Sequence, residues 1–388
     1  MTPAAGARPL NDASSEPASV PGALLTRVRR AIGEAGGWLP FDRFMAMALY
    51  EPGLGYYANA TPKFGAMPQG ADGQGSDFVT APELSPLFGH TLARQVAQAM
   101  QATGVNEVWE FGAGTGALAR QVLDALEALG TPPARYTIVD LSGSLRARQQ
   151  ATLATHAGRV HWADRLPPRF EGIVLGNEVL DAMPVQLIVR LGGVWHERGV
   201  ALAGDGAALV WADRPTALRP PLEIEGGHDY LTEVHPQAEA FIRTLAEHWT
   251  RGAGFFIDYG FPEAEYYHPQ RHMGTLMCHR AHRSDDDPLA DLGLKDITAH
   301  VNFTGIALAA QDAGLAVLGY TGQGRFLLNA GLLDLARDAG PRAAAMLGKL
   351  VNEHEMGELF KVLALAPEAS APGWVPVGFT AGDRTHRL

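Results

Sequence analysis

The sequence predicts an α/β protein built on a mostly parallel sheet with helices on both faces. Three observations carry that prediction. Residues 108–116, V-W-E-F-G-A-G-T-G, read as a short apolar strand, a tight glycine turn and the start of a helix continuing through Leu118, Val122, Leu123, Leu126 and Leu129. Further apolar runs alternate with helical patterns along the chain, the arrangement that buries a parallel sheet on both sides. Polar side chains then fall at the ends of those runs: Glu110, Asp140, Asp164 and the Asn177–Glu178 pair. Ligands of open parallel sheets gather at such ends.

The totals set bounds. A chain of 388 residues with 46% hydrophobic and 19% charged content has the composition of a globular protein with room for two or three domains. Its net charge of -11, without a basic run, makes nucleic acid a poor partner and leaves a cationic protein segment or small molecule compatible. The single cysteine, Cys278, excludes an intrachain disulfide and fits a reducing compartment, so a cytoplasmic location is expected. Residues 1–22, rich in Ala, Pro, Ser and Gly, are expected to form a flexible tail and lack the features of a targeting peptide. No run reaches membrane-spanning length.

Residues 23–100 are expected to hold N-terminal helices and a loop covering the cleft. Leu24, Leu25, Val28 and Ile32 recur at helical spacing until Gly36-Gly37, and a second helix sets Phe41, Phe44, Met45 and Leu49 along one side. Both should cover part of the main core, and their apolar surface could serve a homodimer. The irregular stretch from Gly53 to Pro82 reads as a lid that carries Tyr56 and Tyr57 near its start and Asp77 and Phe78 near its end.

Residues 101–388 are expected to form the core, with insertions at about 184–230 and 261–303. After Asp140, Ser142 can cap a helix. Strands are expected over 160–164 and 170–175, and the alternation of Val185, Leu187 and Val189 reads as added β-hairpins. A helix over 236–249 leads to a buried strand at 254–260. Residues 261–303 read as a polar loop region lining the cleft. Their four histidines have no spacing that matches a closed metal site, so no metal is expected. A helix near 303–313 and strands near 316–320 and 359–366 complete the chain.

The turn chemistry narrows the cofactor. A dinucleotide fingerprint wants G-x-G-x-x-G, whereas this turn has G-x-G-x-G at Gly112, Gly114 and Gly116. Glu110 suits a cationic amino-acid group better than a phosphate, and Asp140 can accept hydrogen bonds from two ribose hydroxyls. S-adenosylmethionine has the ribose and the α-ammonium group and no phosphate, so it fits all three features. Two alternatives stand beside it: an NAD-dependent oxidoreductase with a degenerate turn, and a non-catalytic assembly partner.

Further blocks carry a family resemblance. Residues 75–85, with Phe88-Gly89, then 110–116, 176–184, 258–260, 296–303, 323–324 and 356–362 resemble the MidA-like family of S-adenosylmethionine-dependent methyltransferases, which includes a mitochondrial assembly factor for respiratory complex I. The resemblance implies the class I methyltransferase fold, a Rossmann-like and mostly parallel seven-stranded sheet, with an added helical and hairpin region over the cleft. It implies cofactor binding by Gly112, Gly114, Gly116 and Asp140, joined by Glu110, Ser142, Asp164 and Asn177. Glu178 and Asp181, with Glu83 from the covering loop, become the candidate catalytic acids. Tyr56, Tyr57, Asp77, Phe78, His235, His300 and Asn302 become candidate substrate contacts, although Asn302 stands where an acid is expected. Because the mitochondrial member dimethylates an arginine of a complex I subunit, the implied acceptor is a protein arginine of such a subunit.

Overall fold

The computed structural model describes residues 19–59, 80–140, 143–204, 206, 208–280, 283–337, 339–341, 345–370 and 373–388. Asp77, Phe78 and Ser142 lie outside the described residues, as does the expected tail through residue 18. Helix α1 (Val20–Glu34) begins inside the segment expected to be tail.

Seven strands form the main sheet: β1 (Glu107–Phe111), β2 (Arg135–Val139), β3 (Val160–Ala163), β4 (Ile173–Asn177), β5 (Gly254–Phe261), β6 (Leu315–Gly322) and β7 (Phe360–Pro367). Their order is β6-β7-β5-β4-β1-β2-β3. Strands β1 to β5 run parallel, and β7 lies antiparallel to both β5 and β6. A two-residue strand, Val301–Asn302, pairs with the end of β5. Strand order reverses between β1 and β4, which leaves a crevice where those two strands end.

Side-chain alternation along the strands explains the two layers. Val108, Tyr136, Ile138, Leu175 and Ile257 bury against α4 (Pro86–Thr103) and α5 (Ala117–Ala128). Trp109, Phe111, Val174 and Phe256 point to the opposite face, beneath α7 (Pro236–His248) and α8 (Phe303–Asp312). Ser85 starts α4 by accepting the Leu87 N–H at 3.3 Å, with Pro86 in the first turn.

A second core sits outside the main sheet. Helix α1 and helix α2 (Phe41–Tyr50) bury Leu24, Val28, Phe41 and Phe44 against Leu187 and Val200 of an inserted antiparallel sheet. That sheet comprises Gln186–Leu191, Val194–Leu202, Leu209–Pro215 and Tyr230–Val234, with Leu39–Pro40 at its edge. One expectation is thereby corrected. The N-terminal helices do not cover the main core, because their apolar faces are consumed by the inserted sheet.

The segment expected to be a polar loop is also more ordered than its composition suggests. Met277–Arg280, Arg283–Asp285 and Asp296–Thr298 form a three-stranded sheet, and Cys278 and Ile297 join the second core. Among the described residues, no helix is long and apolar enough to cross a membrane.

Candidate active site

The crevice opens into a cleft of about 1330 Å³ at the ends of β1, β2, β4 and β5. Its first half is built by the glycine turn. Gly112, Gly114 and Gly116 hold φ values of 64°, 52° and 83°, a region that side-chain-bearing residues enter only at a cost. A Cβ on Gly112 would lie 3.0 Å from the Val179 side chain. Glu110 is buried beside the turn and accepts a 2.7 Å hydrogen bond from the Tyr136 hydroxyl. Burial pushes its carboxyl up to about 7; the Tyr136 bond opposes the shift and Asp140 adds to it.

Asp140 stands across the turn and is held by Gln149 of α6 (Gly143–Thr152). The Gln149 Nε2 donates to Asp140 Oδ2 at 2.8 Å and to the Gly114 carbonyl at 3.1 Å. Its Oε1 accepts from Trp162 Nε1 at 2.9 Å, so the amide is used at both ends. Glu83 of the short helix α3 (Ala81–Leu84) accepts a hydrogen bond from the Thr115 hydroxyl, which places its carboxylate against the turn. Glu110 and Glu83 would repel a pyrophosphate. A backbone cradle between Glu110 and Asp140 instead fits the ammonium and ribose groups of S-adenosylmethionine.

The second half holds the acids that follow β4 and β5. Glu178 has φ 54°, an uncommon conformation for a residue with a side chain. Its N–H donates to the Ile257 carbonyl at 2.9 Å, and Asn177 Nδ2 donates to its Oε1 at 3.0 Å. Asp258 fixes the next turn: its Oδ2 accepts the N–H groups of Val179, Leu180 and Asp181 at 3.1, 2.9 and 3.3 Å. Asp181 is 5% exposed, and its Oδ1 has no hydrogen-bond partner among the described residues.

These acids are crowded: Asp181 and Asp258 are buried and Glu178 is half-buried beside them. Burial pushes Glu178 up to about 8, with the Asp181 charge adding to the effect. Burial likewise raises Asp181 to about 6, against hydrogen bonding from Tyr259. Asp258 is pushed upward first by burial and then by Asp181 and Glu178, in opposition to the N–H donors that favour its charge. The far wall is aromatic and acidic. Tyr57 Oη lies 2.9 Å from each carboxylate oxygen of Asp296 and stacks on Tyr50 at 5.6 Å. The Tyr50 hydroxyl donates to the Ala182 carbonyl at 2.8 Å, tying this wall to the Asp181 turn.

Among the sequence-selected residues, Glu83, Glu110, Gly112, Gly114, Asp140, Asn177, Glu178, Asp181, Tyr57 and His300 line one cleft. Gly116 ends the turn as the residue preceding α5. His300 packs edge-on between Tyr259 and Phe261, each at 5.2 Å, and burial lowers its pKa to about 4, helped by Arg271 and Lys361. It is therefore neutral at physiological pH.

Four residues lie elsewhere. Asp164 follows the edge strand β3, where its largely exposed carboxylate pairs with Arg146. Tyr56 is a packed member of the second core, its ring set edge-on to Tyr57 at 5.0 Å. His235 precedes α7 and lies 3.1 Å from the Tyr266 hydroxyl; burial and His300 lower it to about 3. Asn302 caps α8, accepting the Gly305 N–H at 3.2 Å. Its amide thus has a structural task. Reading the sequence missed Tyr50, Gln149, Tyr259 and Asp296 as site residues; Tyr259 and Asp296 fall within the blocks that carry the family resemblance, whereas Gln149 has no local signal.

The strand order, with its single antiparallel β7, and the glycine cradle between two acids define a class I S-adenosyl-L-methionine-dependent methyltransferase. Residues 91–321 match the model of a family described as S-adenosyl-L-methionine-dependent methyltransferases, and the chain belongs to that family. Its structure is similar to that of a Burkholderia thailandensis protein crystallised with S-adenosyl-homocysteine. The two are 50% identical with a TM-score of 0.90, covering 98% of this chain and 100% of the other.

Curated relatives are similar over most of their length. The Caenorhabditis elegans homolog of the mitochondrial protein arginine methyltransferase NDUFAF7 is 25% identical, covering 90% of this chain and 88% of its own. The Mus musculus protein of that name is 28% identical, covering 87% of this chain and 83% of its own. The oxidoreductase and non-catalytic alternatives give way to a methyltransferase. Because these relatives are mitochondrial proteins, the expectation of a cytoplasmic location is also corrected.

Proposed function

We propose that this methyltransferase acts on the guanidinium of a protein arginine, with a complex I-type subunit as acceptor. The observation that carries the proposal is the Glu178–Asp181 pair, a half-buried and a buried acid facing one cleft without an ion-pair partner among the described residues. Uncompensated acids held away from water are costly. They attract a planar cation that can offer both of them N–H donors.

When bound, S-adenosyl-L-methionine supplies an electrophilic methyl group on a sulfonium. The protein's tasks are positioning and proton handling. Gly112, Gly114, Glu110 and Asp140 would hold the cofactor. Glu178 and Asp181 would orient the guanidinium nitrogen toward the methyl, and one of them would accept the proton that this nitrogen releases. Tyr50 and Tyr57 would pack along the side-chain stem and exclude water. The names of the NDUFAF7 relatives support the arginine acceptor.

The test is transfer from methyl-labelled S-adenosylmethionine to purified complex I and to matched arginine and lysine peptides, with the modified residue located by fragmentation mass spectrometry. Label on arginine is expected. Label confined to lysine, or no transfer by a folded protein that binds S-adenosyl-homocysteine, would overturn the acceptor assignment.

A further inference from the structure

Away from the catalytic cleft, the face of β2 and β3 beside the strip of β1 that α7 covers has no helix packed over it among the described residues. The connection from β3 to β4, residues 164–172, forms no helix, and Pro167-Pro168 at its centre opposes one. Strand register sets Trp109, Thr137 and His161 side by side across the three strands. Alternation turns all three away from the face that buries Val108, Tyr136 and Val160. This row lines a groove of about 1440 Å³, with the Phe170 ring tilted against Trp109 at a centroid distance of 4.6 Å.

The groove is basic within an acidic protein. Four arginines line it, Arg135, Arg165, Arg169 and Arg251, against the acids Glu107 and Glu171. Arg251 is paired with Glu171. No ion pair joins Arg135, Arg165 or Arg169 to a described residue, although the whole chain carries a charge of -11. Thr137 is a second, independent signal. It is 3% exposed, lines the groove, and its hydroxyl oxygen has no hydrogen-bond partner among the described residues. A buried hydroxyl left unpaired costs free energy that an incoming donor or acceptor can recover.

We propose that this groove is a docking site for an acidic protein segment that also carries aliphatic side chains. The unpaired arginines supply charge complementarity for the acids. Leu166, Pro167 and Pro168 supply an apolar wall, and the Thr137 hydroxyl offers a polar contact. A nucleic-acid strand fits less well, because its phosphates would continue beyond the groove over a surface of the same sign. Arg165 and Leu166 line both this groove and the cofactor cleft, so a docked segment lies directly beside the cofactor site. The proposal stands apart from the choice of arginine as methyl acceptor.

The experiment is fluorescence anisotropy of the full chain with a labelled synthetic dodecapeptide that alternates acidic residues with leucine. Controls replace the acids with lysine or the peptide with a single-stranded RNA dodecamer. The acidic peptide is expected to bind, and to bind at least about tenfold more weakly when Arg135 and Arg169 are both changed to Glu. Raising salt from about 0.05 to about 0.5 M should weaken it as well. Both arginines are exposed and outside the cleft, so unchanged S-adenosyl-homocysteine binding checks that the variant is folded. No peptide binding, binding insensitive to the charge reversal, or tighter binding of the RNA would overturn the proposal.

Discussion

Glu178 concentrates more unusual physics than any other residue of the cleft. It carries a side chain at φ 54°, a conformation costing about 1–3 kcal/mol that persists only where the surroundings enforce it. Here the enforcement is visible in the bond from its N–H to Ile257 and in the Asp258 carboxylate that gathers the next three N–H groups. The same residue holds its proton up to about pH 8 instead of the ordinary 4.5. Between those values the native chain keeps a proton that the unfolded chain has released, so the stability contributed by this group is lost as pH rises through the window. Glu178→Gln is therefore expected to flatten the fall of Tm between about pH 5 and pH 8 and to melt above the parent at the upper end. Glu110 and Asp181, raised to about 7 and about 6, leave some slope in both proteins. Parallel profiles of Tm against pH for parent and variant would contradict the assignment.

At the scale of elements, the cofactor site depends on α6 docking beneath the glycine turn. Gln149 is fully buried and joins the turn, Asp140 and Trp162 through one amide. It acts as a positioning residue. Gln149→Leu is expected to weaken S-adenosyl-homocysteine binding by at least about tenfold in calorimetry, because it strands the Trp162 donor and frees the Asp140 carboxylate. Unchanged affinity in the folded variant would remove Gln149 from the site. No sequence pattern marks this glutamine, since its partners lie on three different elements. The β1–turn–α5 unit was legible because its signals are local: an apolar run, three glycines and a helical repeat. Tyr56 and Tyr57 show the opposite case. They are adjacent and chemically alike, yet one packs into the second core and the other reaches Asp296. His235 and Asn302 read as cleft residues because polar side chains beside a cleft and polar side chains at helix starts look the same in sequence. The apolar stripes of α1 and α2 were equally clear, but a stripe does not say which partner covers it.

For the whole molecule, the two cores divide the work. The main sheet builds the proposed cofactor half of the cleft from the ends of β1 and β2, using backbone conformation and two acids. The proposed acceptor half lies where the sheet meets the second layer: Glu178 and Asp181 follow β4, while Tyr50 and Tyr57 come from the N-terminal module. Cofactor binding and methyl transfer should therefore separate under mutation. The most direct test measures both on Glu178→Gln, with S-adenosyl-homocysteine affinity by calorimetry and turnover from labelled S-adenosylmethionine to an arginine acceptor. Affinity within about twofold of the parent and turnover reduced at least about tenfold are expected. Undiminished turnover would contradict a catalytic role for Glu178, and an equal loss of affinity and turnover would contradict the division between the two halves of the cleft.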